Sequence, residues 1–264
     1  MSCWAVASPC TVRCAAHRVP PVAPAAQARR CAALAGALLR GLACGPGLAC
    51  GEVLRTQARG VVRALGATLE APASLSGRRR PGEAGSLIVS DHISWLDALA
   101  LLAVEPATAL AKREVAQWPL FGPLAERAGV QFIDRDRFRT LPDTVAQVAD
   151  VLRGGRSVLV FPQGTTWCTE SGSGFRRALF QAAIDAEAPV RPVTVSYRQD
   201  GEPSTVAAFL GDDTFAASLH RVISARNLTV RVTPHPALRP APDRRALAAA
   251  AHAAIRGTRA PAHP

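Results

Sequence analysis

A chain of 264 residues, 48% hydrophobic and 19% charged, with a mean hydropathy of +0.11, suits one globular domain with an appendage and can enclose a substantial core. It is more apolar than an ordinary soluble enzyme, yet too polar for a protein of several membrane spans. The formal net charge of +11 gathers at one end, because residues 1–80 carry eleven arginines, no lysine and only Glu52 and Glu70, a net of +9. Basic residues among apolar ones fit a nucleic-acid arm or a segment on an anionic bilayer. Trp4 is the only aromatic residue in that stretch. Bases therefore find no stacking platform, and no nucleic-acid partner is expected.

Residues 1–30, rich in Ala, Pro and Arg, read as a disordered basic arm. They lack acidic residues, as an organelle-targeting peptide does, while Arg13, His17 and Arg18 interrupt any secretory core. The stretch from Cys31 to Gly51 is apolar apart from Arg40 and is broken by Gly45-Pro46-Gly47. This predicts a short helical hairpin dipping into one leaflet. Val53-Leu54 and Val61-Val62 follow, with Arg55, Arg59 and Arg63 at four-residue spacing. That pattern predicts an interfacial amphipathic helix, the alternative being a plain helix packed on the catalytic domain. Residues 31–70 are thus expected to be a membrane-associating helical segment on the cytoplasmic face.

Six of the seven cysteines lie at positions 3, 10, 14, 31, 44 and 50, with no Cys-x-x-Cys. Cys10-x3-Cys14-x2-His17 imitates part of a zinc site, but no second ligand pair follows, so no metal is expected and the cysteines are taken as reduced.

Gly77-Arg78-Arg79-Arg80-Pro81-Gly82 reads as a linker. Strands are predicted near 86–90, 107–111, 130–133, 157–161, 190–196 and 228–233. Helices are predicted at 95–103, 119–128, 141–153, 175–186 and 214–225, with a last Ala-rich helix near 243–256. This alternation specifies an α/β domain over 71–240, a central, mostly parallel sheet flanked by helices, followed by a C-terminal helix and tail at 241–264.

Chemistry concentrates after three predicted strands. Asp91-His92-Ile93-Ser94-Trp95-Leu96-Asp97 lies between a buried strand and a helix, where α/β folds place their sites. His92 and Asp97 can meet only if His92 sits in the turn and Asp97 reaches back from the first helical turn. His92 would then serve as general base, with Asp97 holding its tautomer. The plainer alternative makes Ser94 a helix cap and Asp97 a favourable first-turn residue. Phe161-Pro162-Gln163-Gly164-Thr165-Thr166 follows another strand, and its glycine permits close approach to a ligand; an ordinary Pro-Gly turn is the alternative. Ile133-Asp134-Arg135-Asp136-Arg137 offers guanidinium groups to an anion, or is a solvated charge run.

In this order the blocks resemble those of the glycerolipid (lysophospholipid) acyltransferase family. Asp91 to Asp97 is similar to its N-H-x-S-x-x-D block, and Phe161-Pro162-Gln163-Gly164-Thr165 to F-P-E-G-T. Lys112-Arg113-Glu114, Trp118 to Gly122 and Ile133-Asp134-Arg135 resemble its second block, and Val190-Arg191-Pro192-Val193 its fourth. The resemblance covers residues 84–235 and implies a membrane-bound enzyme moving an acyl group from acyl-CoA or acyl-carrier protein to a lysolipid hydroxyl. It assigns catalysis to His92 and Asp97, the acceptor's phosphate to Arg135, and the acceptor pocket, with the oxyanion site as a further role, to Gly164 and Thr165; Gln163 is counted with them as substrate-binding. No cofactor is implied beyond the acyl donor as substrate. Membrane lipids and the donor carrier are the partners. The pattern departs at Gln163, where the family has Glu, and at Thr166, where it often has Arg. Arg176 or Arg177 is expected to supply the missing cation. The acceptor implied is 1-acyl-glycerol-3-phosphate, with an amino-acid-containing lysolipid as alternative and a catalytically silent lipid-binding relative as a third possibility.

Overall fold

All four residues of Leu87–Ser90 are buried, as a strand covered on both faces demands. In the computed structural model, which describes residues 8–15, 19–76, 82–118, 121–133, 141–168 and 173–257, this strand lies at the middle of the sheet. The elements in chain order are α1 (Pro24–Ala43), α2 (Gly51–Ala64), β1 (Thr68–Glu70), β2 (Leu87–Ser90), α3 (Trp95–Leu102) and β3 (Ala107–Lys112). Then come α4 (Phe121–Arg127), β4 (Gln131–Ile133), α5 (Leu141–Arg153), β5 (Ser157–Val160), α6 (Ala178–Asp185) and β6 (Val190–Gln199). The described chain closes with β7 (Glu202–Pro203), α7 (Phe215–Ser224), β8 (Leu228–Pro234) and α8 (Arg244–Arg256).

The strand order is β1-β8-β6-β2-β5-β3-β4, with β7 folded back on β6. Pairings are parallel except those of β6 with β8 and with β7. Side chains alternate across the strands, so Leu87 and Val89 of β2 enter one core and Ile88 the other. Helices α5, α6 and α8 cover the first face, with Val148, Leu152, Phe180 and Leu247 at its centre. Helices α1, α2, α3 and α7 supply the second, through residues such as Leu38, Val62, Leu96 and Val222. The central, mostly parallel sheet flanked by helices is therefore present. The α/β alternation predicted after residue 84 matches it apart from the two-residue β7 and a 3-10 helix at Arg113–Gln117, neither of which was predicted.

The N-terminal third departs from the sequence reading. Residues 8–15 were expected within a disordered arm, yet they include a 3-10 helix, Val12–Ala15, whose Ala15 is fully buried. Helix α1 begins inside the same arm because Pro24 opens it and an Ala-rich run sustains it. Helix α2 turns its apolar side inward: Leu54, Ala58, Val61 and Val62 are buried and it packs on α3. Strand β1 pairs with β8, so the sheet reaches across the expected boundary at residue 70.

Among the described residues, clustered arginines also have partners within the protein: Arg55 pairs with Glu52 at 3.5 Å, and two others reach helix ends. Arg30 donates to the carbonyls of Ile223 and Ala225, each at 2.7 Å, at the end of α7. Arg59 Nε donates to the Ala103 carbonyl at 2.7 Å, at the end of α3. Both satisfy carbonyls left open at a helix C-terminus and complement its dipole. Among the described residues no helix is long and apolar enough to cross a membrane. Helix α1 nonetheless leaves Leu39 65% exposed, with Cys31, Ala35 and Cys44 also at the surface.

Candidate active site

Strand β2 ends at Ser90, and the chain turns through Asp91 to Ile93 before α3 begins. Ser94 is the N-cap: its hydroxyl accepts from the Leu96 amide at 3.2 Å, while Asp97 returns a bond to the Ser94 amide at 2.8 Å. That capping box points the Asp97 carboxylate back over the turn. Its Oδ2 also accepts from the Ile93 amide at 2.7 Å and lies 3.0 Å from His92 Nδ1. The cap and the histidine contact are thus made by one side chain. Asp97 is fully buried, whereas the His92 side chain remains 22% exposed.

A carboxylate can only accept, so the His92 nitrogen facing it carries the hydrogen and Nε2 keeps a lone pair. The ring is stacked on Phe161, with centroids 4.0 Å apart and planes at 14°. The His92 carbonyl accepts from the Trp167 amide at 2.8 Å. Turn, ring plane and tautomer are all fixed by neighbours, as a proton-transfer group requires.

Tyr197 is the contribution that sequence reasoning missed. This single tyrosine of the chain, near the end of β6, donates its hydroxyl to Asp97 Oδ1. Burial, and then the Asp97 charge, push its phenol well above the ordinary range, so it remains a donor. The signal available was a lone tyrosine a few residues beyond the fourth block, with no spacing to link it to Asp97.

Gln163, expected among the substrate-binding residues, is 1% exposed and its Oε1 accepts from the His92 amide at 3.1 Å. It supports the histidine from beneath and does not line the cavity beside it. Gly164 has φ +79° and uses its amide on the Phe161 carbonyl at 3.2 Å. A Cβ at this position would stand 3.2 Å from Arg176 Nε, so glycine lets that guanidinium lie across the turn. The Arg176 amide is tied to the Pro162 carbonyl at 3.0 Å. Thr165 and Thr166 line the cavity, and Thr166 Oγ1 donates to the Phe209 carbonyl. Arg191, in the fourth block, donates to Ser86 Oγ at 3.0 Å and the Leu75 carbonyl at 2.9 Å, and so fastens the chain entering β2. Arg135 lies outside the described residues.

The cavity that opens beside His92 has a volume of about 430 Å³. Its wall is largely apolar: Trp95 and Leu99 from α3, Phe121 from α4, Leu38 from α1 and Val61 from α2. Trp118 stacks on Phe215 at 4.5 Å to complete an aromatic side. Lys112, the only lysine of the chain, also lines it. An apolar chamber with few polar groups at one end fits a ligand that is mostly hydrocarbon.

Comparison with known proteins agrees with this arrangement. The acyltransferase family profile matches residues 73–196. The chain is 40% identical over 185 residues to a lyso-ornithine lipid O-acyltransferase of Pseudomonas aeruginosa, covering 66% of this chain and 69% of that protein. It is 36% identical over 178 residues to a 1-acyl-sn-glycerol-3-phosphate acyltransferase of Neisseria meningitidis, covering 66% and 67%. The crystal structure of the 1-acyl-sn-glycerophosphate acyltransferase of Thermotoga maritima superposes with a TM-score of 0.59 at 16% identity, over 78% of this chain and 77% of that one, which establishes likeness of fold. Sheet topology and sequence together define an α/β O-acyltransferase. The chain belongs to the acyltransferase family.

Proposed function

We propose that the protein transfers a fatty acyl group from acyl-CoA or acyl-carrier protein to the free hydroxyl of a lysophospholipid, 1-acyl-glycerol-3-phosphate, to give phosphatidic acid. The observation that carries this reading is the His92–Asp97 pair, 3.0 Å apart, beside an apolar cavity of about 430 Å³. His92 Nε2 takes the proton of the acceptor hydroxyl, and the oxygen attacks the thioester carbonyl. The tetrahedral intermediate then collapses, the carbon–sulfur bond breaks, and the thiolate leaves with the proton that the imidazolium returns. Asp97 steadies the positive ring while it exists. Thr165, on the cavity wall, is the group assigned to the thioester oxygen, since the Gly164 amide is already bonded. Thiolate is a good leaving group, so the reaction needs no cofactor beyond its donor substrate.

The acyl chain occupies the cavity, and the acceptor's phosphate meets Arg176 beside Gly164, with Arg135 as the further cation assigned from the motif. The Pseudomonas aeruginosa relative favours a second reading, in which the acceptor is a lyso-ornithine lipid. The exposed side of α1, with Leu39, Cys31 and Ala35 between Arg29 and Arg40, is assigned to the surface of an anionic membrane. The decisive assay incubates full-length protein with acyl-CoA and a panel of lysolipids and reads product masses. Phosphatidic acid is the expected product, and it should vanish with His92→Ala. Acylated ornithine lipid alone would establish the second reading. Acyl transfer surviving His92→Ala at the wild-type rate would overturn the mechanism.

A further inference from the structure

Beyond the active site, the described residues contain one group of three cysteines whose sulfurs converge. Cys10 and Cys14 belong to the N-terminal stretch, and Cys168 lies seven residues after Phe161, at the end of the loop that carries Thr165 and Thr166. Cys10 Sγ is 3.2 Å from Cys168 Sγ, and all three sulfurs lie within 4.8 Å of one another. Neither the two-cysteine spacing nor Cys168 alone suggests a site, since Cys14 and Cys168 are far apart in sequence.

We propose that Cys10, Cys14 and Cys168 form a three-thiolate site for one thiophilic d10 cation, Zn(II) or Cu(I), which ties the N-terminal stretch to the loop beside the active site. Sulfurs bound at about 2.3 Å around such an ion stand roughly 3.8 Å from each other, so these need shifts on the order of an ångström to enclose one. Soft thiolates select soft cations. Three complete a trigonal Cu(I) site, whereas Zn(II) takes a solvent molecule as its fourth ligand.

The backbone already holds the three ligands in register. Thr205 Oγ1 donates to the Cys14 carbonyl, the Cys168 amide approaches Cys10 Sγ at 3.4 Å, and the Cys10 carbonyl packs closely over Gly211. The sequence reading expected no metal because Cys10 and Cys14 have no second ligand pair nearby, and Cys168 lies far from them in sequence.

The ion's place is structural: the loop from Phe161 to Cys168 bonds to the His92 carbonyl through Trp167, so holding its far end steadies the wall of the catalytic cavity. Full-length protein, purified under reductant without chelator, should contain about one zinc or copper per chain by elemental mass spectrometry, the element distinguishing the two ions. Cys14→Ser should abolish that stoichiometry, while Cys31→Ser, exposed and outside the group, should keep it. Cobalt(II) added to metal-free protein should give an intense near-ultraviolet thiolate charge-transfer band, absent in Cys14→Ser. Chelation should lower the wild-type melting temperature and leave that of Cys14→Ser unmoved. Protein that neither contains nor takes up zinc or copper overturns the proposal, as does a Cys14→Ser variant that retains the ion. Peptide mapping that finds Cys10 and Cys168 joined as a disulfide in the reductant-purified protein also overturns it. None of these readouts depends on acyl transfer, so they stand whatever becomes of the acceptor assignment.

Discussion

Asp97→Asn isolates the charge opposite His92 from everything else that Asp97 does. The carboxylate receives His92 Nδ1 at 3.0 Å and the amides of Ile93 and Ser94 on Oδ2, and the Tyr197 hydroxyl on Oδ1. Asparagine has the same shape. Its oxygen can face the three N–H donors and its NH2 group can face Tyr197, whose oxygen then accepts. Cap, fold and tautomer survive, and only the negative charge beside the transient imidazolium is lost. Two unit charges 3.0 Å apart interact by about 5.5 kcal/mol at an effective dielectric constant of ~20 and about 2.8 kcal/mol at ~40. The 22% exposure of His92 places the pair in that interval. At roughly 1.4 kcal/mol per decade, kcat should fall by ~10²–10⁴. KM for lysolipid and for donor should stay within about twofold, because neither touches Asp97. Steady-state kinetics with acyl-CoA, alongside thermal melts to show an intact fold, measure this. A kcat within about threefold of wild type, from a variant that still melts normally, would show that the carboxylate does not support the histidine electrostatically.

Tyr197→Phe removes the donor on Asp97 Oδ1, a loss of ~1–2 kcal/mol that should lower kcat about 5–30-fold with KM unchanged; unaltered kcat would refute a positioning role. Gln163→Glu should keep the bond to the His92 amide while adding negative charge beneath the ring, raising activity toward 1-acyl-glycerol-3-phosphate without altering head-group preference. A changed preference across the lysolipid panel would place this residue in the acceptor pocket. His252 packs on Phe175 with ring centroids 4.9 Å apart, and burial lowers its affinity for a proton. The unfolded chain therefore binds that proton first, and stability is lost as pH falls below about 6.5 toward the lower folded value. Denaturant melts at pH 5.5 and 7.5 should show a smaller acid loss for His252→Phe than for wild type, and an equal loss would disprove the assignment. Leu39→Asp with Arg40→Glu should reduce sedimentation with anionic vesicles at unchanged thermal stability, because both residues are exposed; undiminished sedimentation would clear α1 of membrane contact.

The legible parts of the molecule were those whose information is local. His92 and Asp97 sit five residues apart in one turn, so chain geometry alone restricted how they could meet. The β2 and β5 strands announced themselves as short apolar runs because each is buried on both faces. Tyr197, a hundred residues from Asp97, and Cys168, far from Cys14, depend on how β6 and a loop are brought back across the sheet, which no spacing records. Helix α2 illustrates a different limit. Its apolar stripe was evident, but periodicity does not say whether a stripe meets lipid or protein, and here Val61 and Val62 meet the core. Gln163 looked like a weakened acid while its motif was all there was to read; the fold makes it the acceptor for the His92 amide. Strand β1, three residues long, gains its identity from β8 alone.

The arginines that close α3 and α7 set an order of events during synthesis. Arg30 leaves the ribosome early, but its acceptors, the carbonyls of Ile223 and Ala225, are made nearly two hundred residues later. β1 likewise waits for β8. Contacts so distant in sequence close late and carry a large entropic cost before they form. Through most of translation α1 must therefore wait for α7, although its contacts with α2, and those of α2 with α3, can form once α3 is made. A nascent chain in that condition needs a temporary host for its apolar faces, and a membrane surface or a chaperone would supply one. The helix that carries Leu38 to the wall of the catalytic cavity is thus made long before its last neighbour and settles only with it.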